Sequence, residues 1–376
     1  MNIFRSIRYS LAYLAYIIIS VVFLLEITFR VLPTTSPVDL QPISDKKDIL
    51  RFYPNQKGKF SLGKNFYKVV DKKTNNYGFY SNYDYFPNAE PNIVIIGDSF
   101  VQAAQIRNQD TVGEVMQYNY TGLKVYQLGV SGVSLPQYIK MIKYAEREFS
   151  PQHYVIVIVG NDFDESLCKY IKKVGTWCFN DDFKLEFRPF FGFHGFQNLI
   201  RESAVLRYFV FQVGLDWREM LAMIKGEAHF NLSRIIPKIG WWGDQNKSSV
   251  VSQYAGNTER FKSDEITNMS RAAITIFFQK LSNMELLDKV TIIIDADRED
   301  IYKDRITFSY FNEMRKFMIN EASSLGVDYL DMDYIFRADF KKNNKKFEHP
   351  TDSHWNEYTH NLLSKILFKE YSIISK

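Results

Sequence analysis

Only two cysteines, Cys168 and Cys178, occur in the 376 residues. They are too few for a disulfide scaffold or for a zinc site of four thiolates. Surplus charge is also missing: 47 Lys+Arg stand against 43 Asp+Glu, a formal net charge of +4. That balance argues against a protein built mainly to hold nucleic acid, which needs a basic surface. There is no internal repeat, no low-complexity tract and no HExxH metal motif. Apolar residues are plentiful, at 46% hydrophobic and 16% aromatic, enough to fill a sizeable core and exclude disorder over the whole length. The length suits two domains, or one large domain with an insertion.

The run from Tyr9 to Leu25 carries no charge, and extended to Phe29 it reaches the ~17–25 residues that cross a bilayer as a helix. Arg5 and Arg8 precede it and only Arg30 follows closely, which places the N-terminus in the cytoplasm and the body outside. A cleaved signal peptide would need a small-residue site after the apolar core, and Leu24-Leu25-Glu26-Ile27 offers none. A buried core helix is the remaining alternative. Residues 1–30 are therefore expected to be a transmembrane anchor, and 31–90 a spacer and lead-in. Pro33, Pro37 and Pro42 among Thr, Ser and Gln favour an extended, stiff start to that spacer. In an oxidising compartment Cys168 and Cys178 could staple the short loop between them; two unrelated thiols are the other reading.

Beyond the spacer, short β-branched runs alternate with amphipathic stretches. Asn92–Ile96, Lys124–Leu128, Tyr154–Val159, Val290–Ile294 and the weaker Val327–Leu330 read as buried parallel strands. Leu135–Phe149, Asp264–Asn283, Phe308–Leu325 and Asn356–Tyr371 carry helical spacing. This alternation predicts an α/β fold over 91–376, a doubly wound three-layer parallel sheet with helices on both faces. An insertion is expected at about 163–262, where some hundred residues separate the third strand from the next helix. It holds Phe187, Phe190, Phe191, Phe193 and Phe196, an expected helix over Asn198–Lys225 and the Trp241-Trp242 pair. A packed subdomain and a sugar-stacking or acyl-binding surface both fit it.

Ligands in such sheets bind beyond the carboxyl ends of the strands, and the chemistry-bearing residues fall there. Gly97-Asp98-Ser99 follows the first strand, Gly129-Val130-Ser131-Gly132 the second and Gly160-Asn161-Asp162 the third. Serine needs a base to become a nucleophile, and a Gly N–H or an Asn amide can stabilise an oxyanion. Taken singly, the second and third fragments also read as ordinary turns. Val101 breaks the G-x-S-x-G elbow, so the α/β-hydrolase fold is not supported. Near the C-terminus, Asp352-Ser353-His354 puts two residues on one side of an extended segment, where Asp352 could hold the His354 Nδ1–H. His349 and His360 are its nearest rivals. Asp295 and Asp297 are expected at the sheet edge as loop or cap residues, and Lys341–Lys346 as a solvated loop.

As an ordered set, strand–GDS, Gly-rich turn, G-N-D and D-x-H resemble the SGNH hydrolases, or GDSL lipase/esterase superfamily, over about Asn92 to Tyr371. The resemblance implies Ser99 as nucleophile, His354 as base and Asp352 as its orienter. It implies an oxyanion hole of Ser99 N–H, Gly132 and Asn161, with no metal or organic cofactor. Gly160 directly precedes Asn161, and Asp352 stands two before His354, whereas the family usually reads G-x-N-D and D-x-x-H. The shorter D-x-H is also similar to membrane-associated SGNH-like proteins that acetylate alginate. The implied activity is hydrolysis of an O-acyl ester, notably acetyl, on an extracytoplasmic carbohydrate. The runner-up is acyl transfer to a surface polysaccharide by the same residues, and the third reading is a non-catalytic glycan binder. The implied location is a bacterial inner membrane, single-pass, with the domain facing the periplasm or exterior. The implied partners are an ester substrate and, through the N-terminal helix, the membrane; no nucleic acid is expected, and protein partners stay undefined.

Overall fold

The computed structural model describes residues 2–44, 48–171, 175–189, 194–214, 253–305, 308–350 and 352–374. The chain forms two compact units. One comprises Met1–Pro37, Gly58–Asp71 and Gly192–Lys247; the other comprises Val38–Lys57, Lys72–Phe191 and Ser248–Lys376.

In the first unit the N-terminal helix runs Asn2–Val31. Its segment Ile7–Val31 is long and apolar enough to cross a membrane, with a mean hydropathy of 2.2. Helices His194–Glu202 and Ala204–Arg207 follow one another, and a π-helical turn at Tyr208–Gln212 continues them. The helix expected over Asn198–Lys225 thus starts earlier; its part beyond Gly214, with Trp241 and Trp242, lies outside the described residues, as do Phe190, Phe191 and Phe193. The stretch expected as a spacer is packed and paired. Thr34 and Thr35 are buried, Ser36 bridges to Lys59, and Ser61 Oγ donates to the Pro33 carbonyl.

The second unit is built on a five-stranded parallel sheet. Its strands are β1 (Ile93–Gly97), β2 (Val125–Gly129), β3 (His153–Ile158), β4 (Val290–Ile294) and β5 (Asp328–Asp331), in the spatial order β5-β4-β3-β1-β2. Residues of β1 alternate between the two faces. Val94 and Ile96 pack with Tyr138 and Ile142 of helix Leu135–Phe149, Phe277 of helix Asp264–Ser282 and Met314 of helix Tyr310–Ser324. Ile93 and Ile95 pack with Met116 of helix Val112–Asn119, Phe336 of helix Met332–Asn343 and Leu363 of helix Glu357–Ile374. Burial on both sides explains why the central strands are continuous apolar runs rather than alternating ones.

The chain moves from β1 outward to β2, then returns to lay β3 on the other side of β1. The order therefore reverses between β1 and β3, opening a crevice at their carboxyl ends. One difference from expectation and one reading left open are both local. Lys341 and Lys342 close helix Met332–Asn343 instead of lying in a loop, where their charge suits the negative helix end. Cys168 and Cys178 form a disulfide, with Cα atoms 5.0 Å apart. It ties the chain after β3 to the strand Thr176–Phe179.

Candidate active site

Immediately beyond β1, Asp98 caps the short helix Ser99–Gln102, its Oδ1 accepting the Phe100 N–H at 2.9 Å. Ser99 is partly exposed and its Oγ donates to Asp98 Oδ2 at 3.1 Å. This helix lies close against the end of β2. A Cβ on Gly129 would stand 2.2 Å from the Gln102 nitrogen, so only glycine fits there. After β2 the chain turns through Gly132, which adopts φ +71° and is partly exposed.

Asn161 sits in the 3-10 turn Gly160–Asp162 that follows β3. Its Oδ1 accepts from Asn257 Nδ2, and its Nδ2 donates to Glu165 Oε2 at 3.0 Å. A donor on the oxygen fixes which way the amide faces, and a primary amide carries two N–H bonds. Among the described residues, one N–H of Asn161 is thus left beyond the Glu165 contact. Asn257 also accepts the Asn161 backbone N–H at 3.1 Å. Beneath, buried Asp162 accepts from Tyr138 Oη and Val159 N, both at 2.8 Å. Burial, then the nearby Asp98 charge, pushes its carboxyl well up. Burial likewise raises Asp98, against the Phe100 N–H and the charge of His354.

His354 stands on the strand Asp352–Trp355, which pairs with Glu348–His349. Asp352 Oδ1 accepts the His354 backbone N–H at 2.8 Å and also contacts the ring at Nδ1. Gln105 Nε2 reaches Asp352 Oδ2 at 3.3 Å. Burial alone would raise the Asp352 carboxyl, yet its bonds to His354, that ring's charge and Gln105 hold it at about 2. The His354 ring lies 4.8 Å from that of Phe100, the residue after Ser99. Among the described residues His354 Nε2 has no hydrogen-bond partner, and Ser99 Oγ is turned to Asp98 instead.

The structure therefore brings Asp352 and His354 into direct contact beside the Ser99 helix, and sets Gly132 and Asn161 at the ends of the two strands flanking β1. It does not join Ser99 to His354. The rival histidines are engaged elsewhere. His360 is buried, accepts from Val112 N at 3.2 Å, and burial pushes its ring down to about 3. His153 is bonded to Thr291, and His349 is buried. Asp295 accepts from Trp355 Nε1 at 3.0 Å, which braces the His354 strand, and Asp297 stands at the N-cap position of helix Arg298–Tyr302 with its carboxylate paired to Arg260. Gln105 and Asn257 escaped the sequence reading. Neither lies in a recurring pattern, although Gly256-Asn257 is a turn pair that marks where the chain returns from the insertion.

No family model and no curated protein matches the chain. Solved structures similar to it include a lipase/acylhydrolase from Enterococcus faecalis, 9% identical with TM-score 0.38, covering 74% of this chain and 94% of that one. An acetyl xylan esterase is 12% identical with TM-score 0.37, covering 74% and 98%. A Corynascus thermopiles carbohydrate esterase family 2 enzyme with a carbohydrate-binding domain is 13% identical with TM-score 0.35, covering 81% and 70%.

Proposed function

We propose that this chain is a serine ester hydrolase of the SGNH type, held to a membrane by its N-terminal helix and acting on an O-acyl ester, notably acetyl, of an extracytoplasmic carbohydrate. The observation that carries the reading is the contact of Asp352 with His354 Nδ1 at the sheet edge where Ser99 begins its helix. An acidic partner at Nδ1 keeps the Nε2 lone pair turned outward as a base.

In this reading Ser99 Oγ rotates from Asp98 to His354 Nε2, gives up its proton there and attacks the ester carbonyl. The tetrahedral oxyanion is held by Ser99 N–H, Gly132 N–H and the remaining N–H of Asn161 Nδ2. His354 then protonates the leaving alcohol, and a water deprotonated by His354 releases the acid from Ser99. The test is hydrolysis of p-nitrophenyl acetate and longer esters by the full chain and by Ser99→Ala. Hydrolysis lost in the variant supports the reading. Hydrolysis that survives it removes Ser99 as nucleophile. A wild type that forms a new sugar ester rather than free acid is an acyltransferase, and one that binds glycan without any acyl chemistry is not an enzyme of this kind.

A further inference from the structure

The Ser99 helix and the turn that carries Gly132 are joined by one side chain. The helix ends at Gln102, whose backbone N–H donates to the Asp98 carbonyl at 2.9 Å. Gln102 is buried, and its Oε1 accepts the Ser131 N–H in the turn after β2. A backbone N–H can only donate, so the atom facing Ser131 is the amide oxygen. The Gln102 Nε2 then serves the hydroxyl of buried Tyr80. That ring is itself fixed, stacked on Phe52 at 4.9 Å and lying 4.5 Å from Lys72 Nζ. One residue before Ser131, the Val130 N–H donates to the Gly97 carbonyl at 3.3 Å. Successive N–H groups of the turn are thus tied to residues on either side of Ser99.

The contact bears on the chemistry through peptide geometry. Gly132 has no side chain by which it could be held, so its N–H is aimed only through its neighbours. A peptide bond is planar. Once the Ser131 N–H is held, only the two backbone torsions of Ser131 separate it from the Gly132 N–H. A donor aimed in advance costs no reorganisation when charge develops on the oxygen, and that is where its catalytic value lies. We infer that Gln102 is a positioning residue, which sets the Gly132 N–H for the oxyanion while Tyr80 fixes the Gln102 amide. The assignment rests on the hydrolase reading above and deepens it. The helix that presents the attacking oxygen also sets the donor, so the two keep a constant separation.

The test combines steady-state hydrolysis of p-nitrophenyl acetate by the detergent-solubilised full chain with amide hydrogen exchange at Ser131, read by mass spectrometry. Gln102→Met keeps the length of the side chain and removes its oxygen. Its kcat should fall by about tenfold, less than the roughly 10²–10³ for outright loss of a donor. KM should stay near the wild-type value, because the interaction strengthens only as the oxyanion forms. Exchange at Ser131 should quicken in the same variant. Tyr80→Phe keeps the ring and frees only the Gln102 amide. It should move both readouts the same way and less far, and it serves alone should Gln102→Met not fold. A loss that appears in KM instead of kcat, or Ser131 exchange as slow as in wild type, would overturn the assignment. A wild type that hydrolyses no ester refutes the hydrolase reading and this assignment with it. Undiminished hydrolysis by Gln102→Met refutes the assignment alone.

Discussion

At the scale of single residues, the ionisation of Asp352 decides how the site could work. A carboxyl at about 2, against an unfolded value near ~3.9, is charged at every pH where the protein would be assayed. The contribution of this pairing to stability is complete above the unfolded value and fades as pH falls through about 2. The acid limb of a pH–rate profile therefore cannot come from Asp352. Asp352→Asn keeps the shape but offers an amide to Nδ1, which favours the wrong tautomer. A loss on the order of 10⁴ in kcat is expected with KM little changed, and steady-state kinetics on p-nitrophenyl acetate would check it. Asn161 calls for a different magnitude. Removing one oxyanion donor costs roughly 10²–10³ in kcat, so Asn161→Ala should fall in that range. Asn257→Ala keeps the donor, although it frees the amide to turn and removes the acceptor of the Asn161 backbone N–H, so it should lose less. Equal rates in wild type and Asn161→Ala would take that residue out of the site.

At the scale of elements, the loop after the Ser99 helix is held from below by a buried cation. Lys72 Nζ donates to the carbonyls of Ala103 at 3.0 Å and Ile106 at 2.8 Å, and lies 4.5 Å from the Tyr80 ring. The same loop carries Gln105 to Asp352. Burial lowers the Lys72 amine to about 7, only partly offset by Glu114 and Asp110. An unfolded lysine titrates near ~10.4. Between these values the unfolded chain keeps a proton that the folded chain has released, so stability rises with pH. Urea denaturation from pH 7.5 to 9.5 should show that rise in the wild type, at most about 1.4 kcal/mol per pH unit. Lys72→Met should remove it, and an unchanged slope would mean that Lys72 stays charged throughout. Neither this support nor the Gln105 contact could be read from the chain, because partners 31 and 247 residues apart leave no local pattern. Four of the five strands were legible because burial on both faces demands unbroken, largely apolar runs. The remaining strand β5, exposed or half-buried along its length, gave the weaker signal, and the Asp352–His354 register was legible because a strand repeats every two residues. Helix Val112–Asn119 was not, being only two turns long. Helix Met332–Asn343 was hidden by the charged residues along it, and the Cys168–Cys178 bridge needed the geometry of the folded loop.

At the scale of the whole molecule, the fate of the N-terminal helix decides where any chemistry happens, and Glu26 bears on it directly. A carboxylate near the end of an apolar helix is tolerable if it reaches polar surroundings, and in the first unit it finds them. Glu26 pairs with Arg30 at 2.9 Å. It also accepts from Ser203 Oγ at 2.8 Å, Ala204 N at 2.9 Å and Val205 N at 3.3 Å, covering the start of helix Ala204–Arg207. Three residues on, the Phe29 ring packs 4.6 Å from that of Tyr208. A cleaved signal peptide would carry these groups away and leave the N–H groups of Ala204 and Val205 without their acceptor. A retained anchor keeps them satisfied, while the segment Ile7–Val31, unburied within the protein, offers its apolar surface to lipid. The expected outcome is therefore a mature chain that still contains Glu26 by intact-mass measurement and leaves membranes with detergent but not with high salt or alkaline carbonate. A mature N-terminus beyond Glu26, or release by salt alone, would refute the anchor and leave the helix as a leader that the folded unit does not keep.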